Sequence, residues 1–202
     1  MVCQRCLEPA SKLEATRWLG RDVVLGGIDG VSDDELYRAM DFLLACSERV
    51  QESVFFSVAH LLNLEVDVIF FDTTSTYFEV CVDDPDEESD DEDQAAAAAR
   101  QLRRLGHSKD HRPDLPQVVI GLAVTREGIP VRVWVWPGNA NEQTLVEQVK
   151  ADLAGWRLGR VIYVVDSGFS GRDNLRRLRS AGGHYIAGVK PEFRTKWGDS
   201  GV

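Results

Sequence analysis

The sequence has no apolar run approaching the roughly 20 residues needed to span a bilayer. Its first ten residues also lack the apolar segment of a secretory signal. We therefore expect a cytoplasmic protein without a membrane partner. Cysteine is scarce too, and the single Cys-x-x-Cys pair, Cys3 and Cys6, has no second pair or His-x-x-x-His to complete a zinc site. Reduced cysteines without a special role are the interpretation that we favour.

The chain has fewer basic than acidic residues, and the two kinds are unevenly distributed along the sequence. The formal net charge is −10, yet residues 83–93 alone carry nine acids and no base. An acidic run without core-forming residues predicts a solvated, disordered insertion at 83–94. The segment Arg157–Lys196 has the opposite bias, with nine Lys or Arg against three acids. Such a basic flank suits a protein that handles a phosphate backbone, although an ordinary charged surface is the alternative.

Helical patterns fill the N-terminal third of the chain. Ser32 and Glu35 have the spacing of a capping box, which predicts a helix from this point. Apolar residues continue at helical spacing to about Leu62, which indicates a second helix. We predict a helical N-terminal segment at 1–64 whose apolar stripe is core. The stripe of the first helix includes Leu36, Met40 and Leu44.

Two apolar segments each end in an aspartate. Val66–Phe71 is followed by Asp72, and Val161–Val165 is followed by Asp166. If the two strands are neighbours, the aspartates lie about 4.8 Å apart, the spacing between adjacent strands. Two divalent ions that share carboxylates lie roughly 3.5–4 Å apart. The pattern therefore fits a metal-dependent phosphoryl-transfer site.

The remaining elements complete an α/β pattern. The order of predicted elements after the helices is β-β-β-α-β-α-β, which is the order of an RNase H-like mixed sheet with parallel first and fourth strands. This core would occupy 65–191, followed by a tail at 192–202. The further predicted elements are a helix-forming stretch at Ala95–Arg104, a hairpin of Gln117–Thr125 and Ile129–Trp136, a helix after Asn139 that ends at Gly155, a helix capped by Ser170 and Asp173, and a last strand at His184–Val189.

A polar segment, G-H-S-K-D-H-R-P-D-L-P-Q, spans Gly106–Gln117. A loop that only connects two elements rarely needs two histidines, Lys109 and Arg112 together. The prolines and Gly106 argue against a helix that would present both histidines to one metal ion. We predict that Lys109 and Arg112 contact substrate phosphate.

Four motifs in order resemble bacterial insertion-sequence transposases of the DDE type. They are D-T-T-S-T-Y-F-E, the Gly106–Gln117 segment, P-G-N-A-N-E-Q-T-L and V-V-D-S-G-F-S-G-R-D-N-L. The likeness extends over roughly residues 1–190 and is greatest to the IS4-like group, in particular its IS1634-type branch. It implies an RNase H-like core that uses Mg²⁺ or Mn²⁺ to cut and join DNA at insertion-sequence ends in the bacterial nucleoid. Partners would be DNA and a second copy or an intact transposase.

The resemblance also assigns residues. Asp72 and Asp166 would be the catalytic, metal-binding aspartates. The third catalytic carboxylate of the family, a glutamate on a later helix, has no counterpart, and Glu192 in the tail is a poor substitute. We expect a truncated copy with weak or no activity of its own. A non-enzymatic fragment that binds DNA or an intact transposase, and a stand-alone nuclease, are the alternatives. The predicted DNA contacts are Lys109, Arg112, Arg172, Arg176 and Lys190.

Overall fold

The computed structural model describes residues 1–28, 30–79, 101–156, 158 and 160–188. The predicted acidic insertion at 83–94, Lys190 and the tail at 192–202 lie outside these residues. The chain divides into two compact units, Met1–Ser53 and Val54–Val202. The predicted domain boundary at residue 64 stays a prediction. No helix within the described ranges combines the length and apolarity that crossing a membrane requires.

Helices account for the N-terminal unit, as predicted. The capping box is present: Glu35 N–H donates to Ser32 Oγ at 3.3 Å, and Ser32 N–H donates to Glu35 Oε2 at 2.8 Å. The hydrogen bonds that the backbone N–H and the hydroxyl of Ser32 donate to the Glu35 carboxylate lower the pKa of Glu35. Leu36 is buried, but Met40 and Leu44 are 38% and 61% exposed. The prediction that these two residues belong to the core is therefore wrong. The helices are α1 (Val2–Leu7), α2 (Lys12–Arg21), α3 (Asp33–Ala45) and α4 (Ser47–Leu62), which crosses the unit boundary.

A five-stranded mixed sheet forms the second unit, with the strand order β3-β2-β1-β4-β5. The central strand β1 is antiparallel to β2 and parallel to β4, which confirms the predicted RNase H-like arrangement of an α/β protein. The strands are β1 (Val68–Tyr77), β2 (Gln117–Thr125), β3 (Pro130–Pro137), β4 (Ile162–Val165) and β5 (His184–Ala187).

Strand β1 is longer than its apolar pattern predicts. It continues through Asp72 and four hydroxyl residues to Tyr77, because threonine and aromatic side chains favour extended backbone. Asp72 therefore lies in the middle of a strand and not at its end. Only the first half of β1, Val68–Phe71, pairs with β4.

One face of the sheet carries the hydrophobic core. Helices α5 (Glu142–Gly155) and α6 (Arg172–Arg179) supply Leu145, Val149, Leu153 and Leu178, each at most 6% exposed. The same core contains two stacked indoles, Trp134 and Trp136, whose ring centroids are 6.0 Å apart. The opposite face of β3 leaves Val133 and Val135 41% and 49% exposed. The two tryptophans of β3 therefore face the core, and these two valines face the opposite side.

Two local predictions fail. Helix α6 has Gly171 as its N-cap and no side-chain cap, whereas Asp173 lies in its first turn and pairs with Arg176 at 3.4 Å. The predicted caps, Ser170 and Asp173, are therefore wrong. Residues 101–104 are not helical: Arg104 forms a strand bridge with Gln117, and residues 95–100 lie outside the described ranges.

Candidate active site

The register of β1 and β4 places the two predicted aspartates directly after a pair of neighbouring residues. Phe71 pairs with Val165, the last residue of β4, and Asp72 and Asp166 directly follow these two residues along the chain. Adjacent strands lie about 4.8 Å apart, and residues paired across them point to the same face. Both aspartates are exposed, on the sheet face that lacks α5 and α6.

A backbone amide orients each carboxylate. Thr73 N–H donates to Asp72 Oδ1 at 2.7 Å, and Gly168 N–H donates to Asp166 Oδ1 at 2.9 Å. Asp166 caps a 3₁₀ turn, Ser167–Phe169, that Phe169 anchors in the core at 1% exposure. One oxygen of each carboxylate is thereby fixed, and the other is available to a ligand.

The donor set fits a hard divalent cation, in part. Mg²⁺ prefers carboxylate oxygens and retains several waters, so two neighbouring aspartates with exposed oxygens suit it. Within the described ranges, however, no group of three or more His, Cys, Asp or Glu could hold a metal ion. The pair is therefore expected to bind such an ion weakly without further ligands.

The Gly106–Gln117 segment reaches the same edge of β1. Lys109 Nζ donates to the carbonyl oxygen of Thr73 and lies 3.1 Å from Thr73 Oγ1. Lys109 N–H donates to Ser75 Oγ at 3.1 Å. The ammonium of Lys109 is thus held one residue along the strand from Asp72. Sequence reasoning predicted a phosphate contact here but not this anchorage.

Arg112 is already paired with a carboxylate. Its Nε and Nη2 donate to Asp114 Oδ1 and Oδ2 at 2.9 and 2.8 Å. Its guanidinium also lies 5.4 Å from the centroid of the Tyr77 ring. The hydrogen bonds with Asp114 raise the pKa of Arg112, and those with Arg112 lower the pKa of Asp114. A phosphate at Arg112 would have to displace Asp114.

Helix α6 presents a basic face. The predicted DNA contacts Arg172 and Arg176 are exposed, and Arg179 lies on the same side at the next helical spacing. Leu178 on the opposite side is 1% exposed. Sequence reasoning missed Arg179, although the spacing of four and then three residues from Arg172 was a sufficient signal.

A lysine from the neighbouring helix caps the C-terminal end of α6. Lys150 Nζ donates to the carbonyl oxygens of Arg177, Leu178 and Ser180 at 2.7, 3.0 and 2.6 Å. Helix ends leave such carbonyls without intrahelical partners, and a cation there also interacts favourably with the helix dipole. Lys150 thereby fixes the end of the helix that carries the arginines.

The family of the chain follows from a match to residues 96–197, just over half of the sequence, by the family model described as "Transposase DDE domain". The chain belongs to the DDE transposase family. The matched region of this transposase contains Asp166 and the Lys109 loop, while Asp72 precedes it. No curated protein matches the chain.

Solved structures with a similar chain fold include Mos1 transposase complexes. The paired-end complex with the left transposon end is 11% identical, with a TM-score of 0.37 over 91% of this transposase. The Mos1 mariner paired-end complex with Mn is 13% identical, with a TM-score of 0.37 over 94%. This transposase spans about half of those proteins, 52% and 55% of their chains. Its fold assignment rests on its own strand order.

Proposed function

We propose that this chain performs the chemistry of DNA transposition, which is divalent-metal-dependent cleavage of a DNA strand and its transfer to a target. Asp72 and Asp166 would hold Mg²⁺ or Mn²⁺. The observation that supports this assignment is the parallel register in which the two aspartates follow Phe71 and Val165. Assignment to the IS4-like group is part of the same proposal.

The chain's own residues have distinct tasks in this reaction. Asp72 and Asp166 each keep one carboxylate oxygen on a backbone amide and offer the second to the cation. A divalent ion held there would stabilise negative charge on the phosphoryl oxygens. Lys109 would bind a phosphate next to the aspartates, and Arg172 and Arg176 would contact the DNA backbone at a distance from the reacting bond.

The level of activity is expected to be low. The described residues offer two carboxylates and no third ligand, and loss of a metal ligand raises the barrier substantially. Each increment of about 1.36 kcal/mol reduces the rate tenfold. We therefore propose a weakly active or inactive copy when the chain acts alone.

The test combines metal binding with DNA nicking. Mn²⁺ binding is measured by electron paramagnetic resonance of the free ion, and nicking is measured on supercoiled plasmid with Mg²⁺ or Mn²⁺. Asp72→Asn and Asp166→Asn should each weaken Mn²⁺ binding by about tenfold or more and abolish any nicking. Asp67→Asn is the matched control, because this exposed aspartate lies just before β1 and pairs with Arg126.

Unchanged Mn²⁺ affinity in both site variants would remove the chemical basis of the proposal. Robust strand transfer by the wild-type chain, abolished by Asp72→Asn, would contradict the weak activity but support the assigned residues.

A non-enzymatic role in DNA binding is the second candidate. The exposed arginines of α6 favour it, since they need no metal ion to attract a phosphate backbone. Binding of duplex DNA that survives Asp72→Asn and chelation of metal, with no nicking under any condition, would select this role.

A further inference from the structure

We propose that Lys109 is a resident cation of the aspartate site with two opposed effects. Its ammonium opposes divalent-metal binding when DNA is absent, and it binds a DNA phosphate when DNA is present. The free protein would then hold metal poorly, and the ion would bind mainly together with the substrate. This inference rests on the proposed function, because it requires that Asp72 and Asp166 bind a metal ion.

The direction of the β1 carbonyls places the ammonium on the edge of β1 that faces β4. The carbonyl oxygen of Asp67 accepts a hydrogen bond from Ile162 N–H, so it points toward β4. Carbonyls alternate in direction along a strand, and the carbonyl of Thr73 therefore points to the same side. Strand β4 ends at Val165, and Lys109 occupies the edge of β1 that the strand leaves open.

The ammonium is held in place by backbone as well as side-chain contacts. The amide of Lys109 donates to Ser75 Oγ at 3.1 Å, and Ser108, which precedes it, is only 7% exposed. His111 adopts a left-handed conformation with φ of 58°, and its N–H donates to the carbonyl of Ser108 at 3.4 Å. This tight turn directs Lys109 back toward β1. Such a φ is uncommon for a non-glycine residue.

The Lys109 ammonium is close enough to Asp72 to affect the binding of a metal ion there. Neighbouring Cα atoms lie about 3.8 Å apart, so an ammonium bonded to Thr73 O lies within about 10 Å of the Asp72 carboxylate, roughly one Debye length at 0.1 M salt. A single positive charge at this range should weaken binding of a doubly charged cation by about threefold to fivefold. The same charge attracts a phosphate, so removing it should change metal and DNA affinity in opposite directions.

The experiment measures the two affinities separately. Mn²⁺ affinity is determined by electron paramagnetic resonance without DNA, and affinity for a short fluorescent duplex is determined by anisotropy in EDTA. Lys109→Met should raise Mn²⁺ affinity about threefold to fivefold and lower duplex affinity by a similar factor. Lys109→Gln, which is neutral but can still donate to Thr73 O, should behave in the same way. Lys109→Arg should resemble the wild type in both measurements.

Arg160→Met is the matched control, because it removes a positive charge six residues before Asp166, ahead of the N-terminal end of β4. Its Mn²⁺ affinity should equal that of the wild type. Circular dichroism and thermal unfolding show whether each variant is folded, and the two neutral variants give independent results should one of them not fold.

The outcomes separate this inference from the proposed function. Mn²⁺ affinity that is unchanged or lower in the neutral Lys109 variants, while Asp72→Asn weakens it, overturns the inference alone. If neither the wild type nor the neutral variants bind Mn²⁺, or if Asp72→Asn has no effect, both the inference and the proposed metal site are wrong.

Discussion

The two basic regions of the second unit hold their charges in different ways. The loop that ends at β2 fixes Lys109 against Thr73 and pairs Arg112 with Asp114, so both cations have defined contacts. Helix α6 instead leaves Arg172 and Arg176 exposed. Under the proposed function, the loop would place charge at one point of the substrate, whereas α6 would attract the DNA backbone along its length.

The largest expected effect concerns the close packing of the backbone at the end of the Gly106–Gln117 loop. Substitution of Gly138 tests how much this packing contributes to stability. Gly138 N–H donates to Leu102 O at 3.0 Å, and a Cβ on Gly138 would lie 2.2 Å from Gln117 O and 2.3 Å from Arg104 O. Gly138→Ala therefore forces the backbone apart, and we expect a loss of about 3 kcal/mol in the free energy of unfolding by urea.

The control for this substitution is Gly155→Ala. A Cβ at Gly155, the last residue of α5, has no atom within 4 Å. It should change the free energy of unfolding by less than about 1 kcal/mol. An equal effect of the two substitutions would show that close backbone approach does not hold the loop.

Attachment of α6 depends on one side chain, so its loss should cost less. Lys150→Met keeps the apolar stem but removes the ammonium from the carbonyls of Arg177, Leu178 and Ser180. We expect a loss of about 1–2 kcal/mol in thermal or urea unfolding. Lys12→Met, at the start of α2, should have little effect. A neutral result for Lys150→Met would mean that α6 is held by its apolar contacts alone.

The exposed arginines should affect DNA binding and not stability. Replacing Arg172, Arg176 and Arg179 together by Gln should lower duplex affinity about tenfold and reduce the slope of log K against log salt by about two to three. Fluorescence anisotropy at several salt concentrations measures both quantities. The single control Arg160→Gln should leave the slope within about one unit. A reduction confined to one DNA sequence would instead indicate base contacts by α6.

The same contrast shows which parts of the structure a sequence can predict. Periodic apolar residues predicted α3, the β2–β3 hairpin and α5, because each pattern is local. The parallel arrangement of β1 and β4, whose paired residues Phe71 and Val165 directly precede Asp72 and Asp166, was also predicted from the order of elements. The polar composition of the loop predicted Lys109 and Arg112 as candidate contacts, and Arg176 lies in the segment with an excess of basic residues.

What was missed depends on contacts between distant residues. Lys109 contacts Thr73, which is 36 positions away in the sequence, and Lys150 contacts Ser180, which is 30 positions away. Neither pair can be found from local sequence patterns. The second half of β1 is polar on both faces, so its extended backbone could be predicted from its threonine and aromatic residues but not from an apolar pattern. The side-chain cap of α6 was wrong because Gly171 occupies the N-cap position.

The smallest expected effect concerns the pair that occupies Arg112. Asp114→Asn removes the competing carboxylate, and duplex affinity should rise about twofold, because an exposed ion pair is displaced at little cost. Arg112→Gln should lower affinity by a similar factor. If Asp114→Asn weakens DNA binding instead, then Asp114 orients Arg112 toward the phosphate and does not compete with it.

The pH dependence of the same pair has a defined sign. Arg112 lowers the pKa of Asp114 in the folded state, so the pair contributes to stability above the unfolded pKa of about 3.9 and this contribution is lost as the pH falls through the lower folded pKa. Between pH 6 and 8 the pair is intact, and DNA affinity should not vary through this group. A carbon-13 NMR titration of the Asp114 carboxyl should give a pKa below 3.9 that returns toward this value in Arg112→Gln. An unshifted pKa in the wild-type protein would mean that Arg112 is free to bind phosphate, and the two basic regions would then differ only in the position of Lys109.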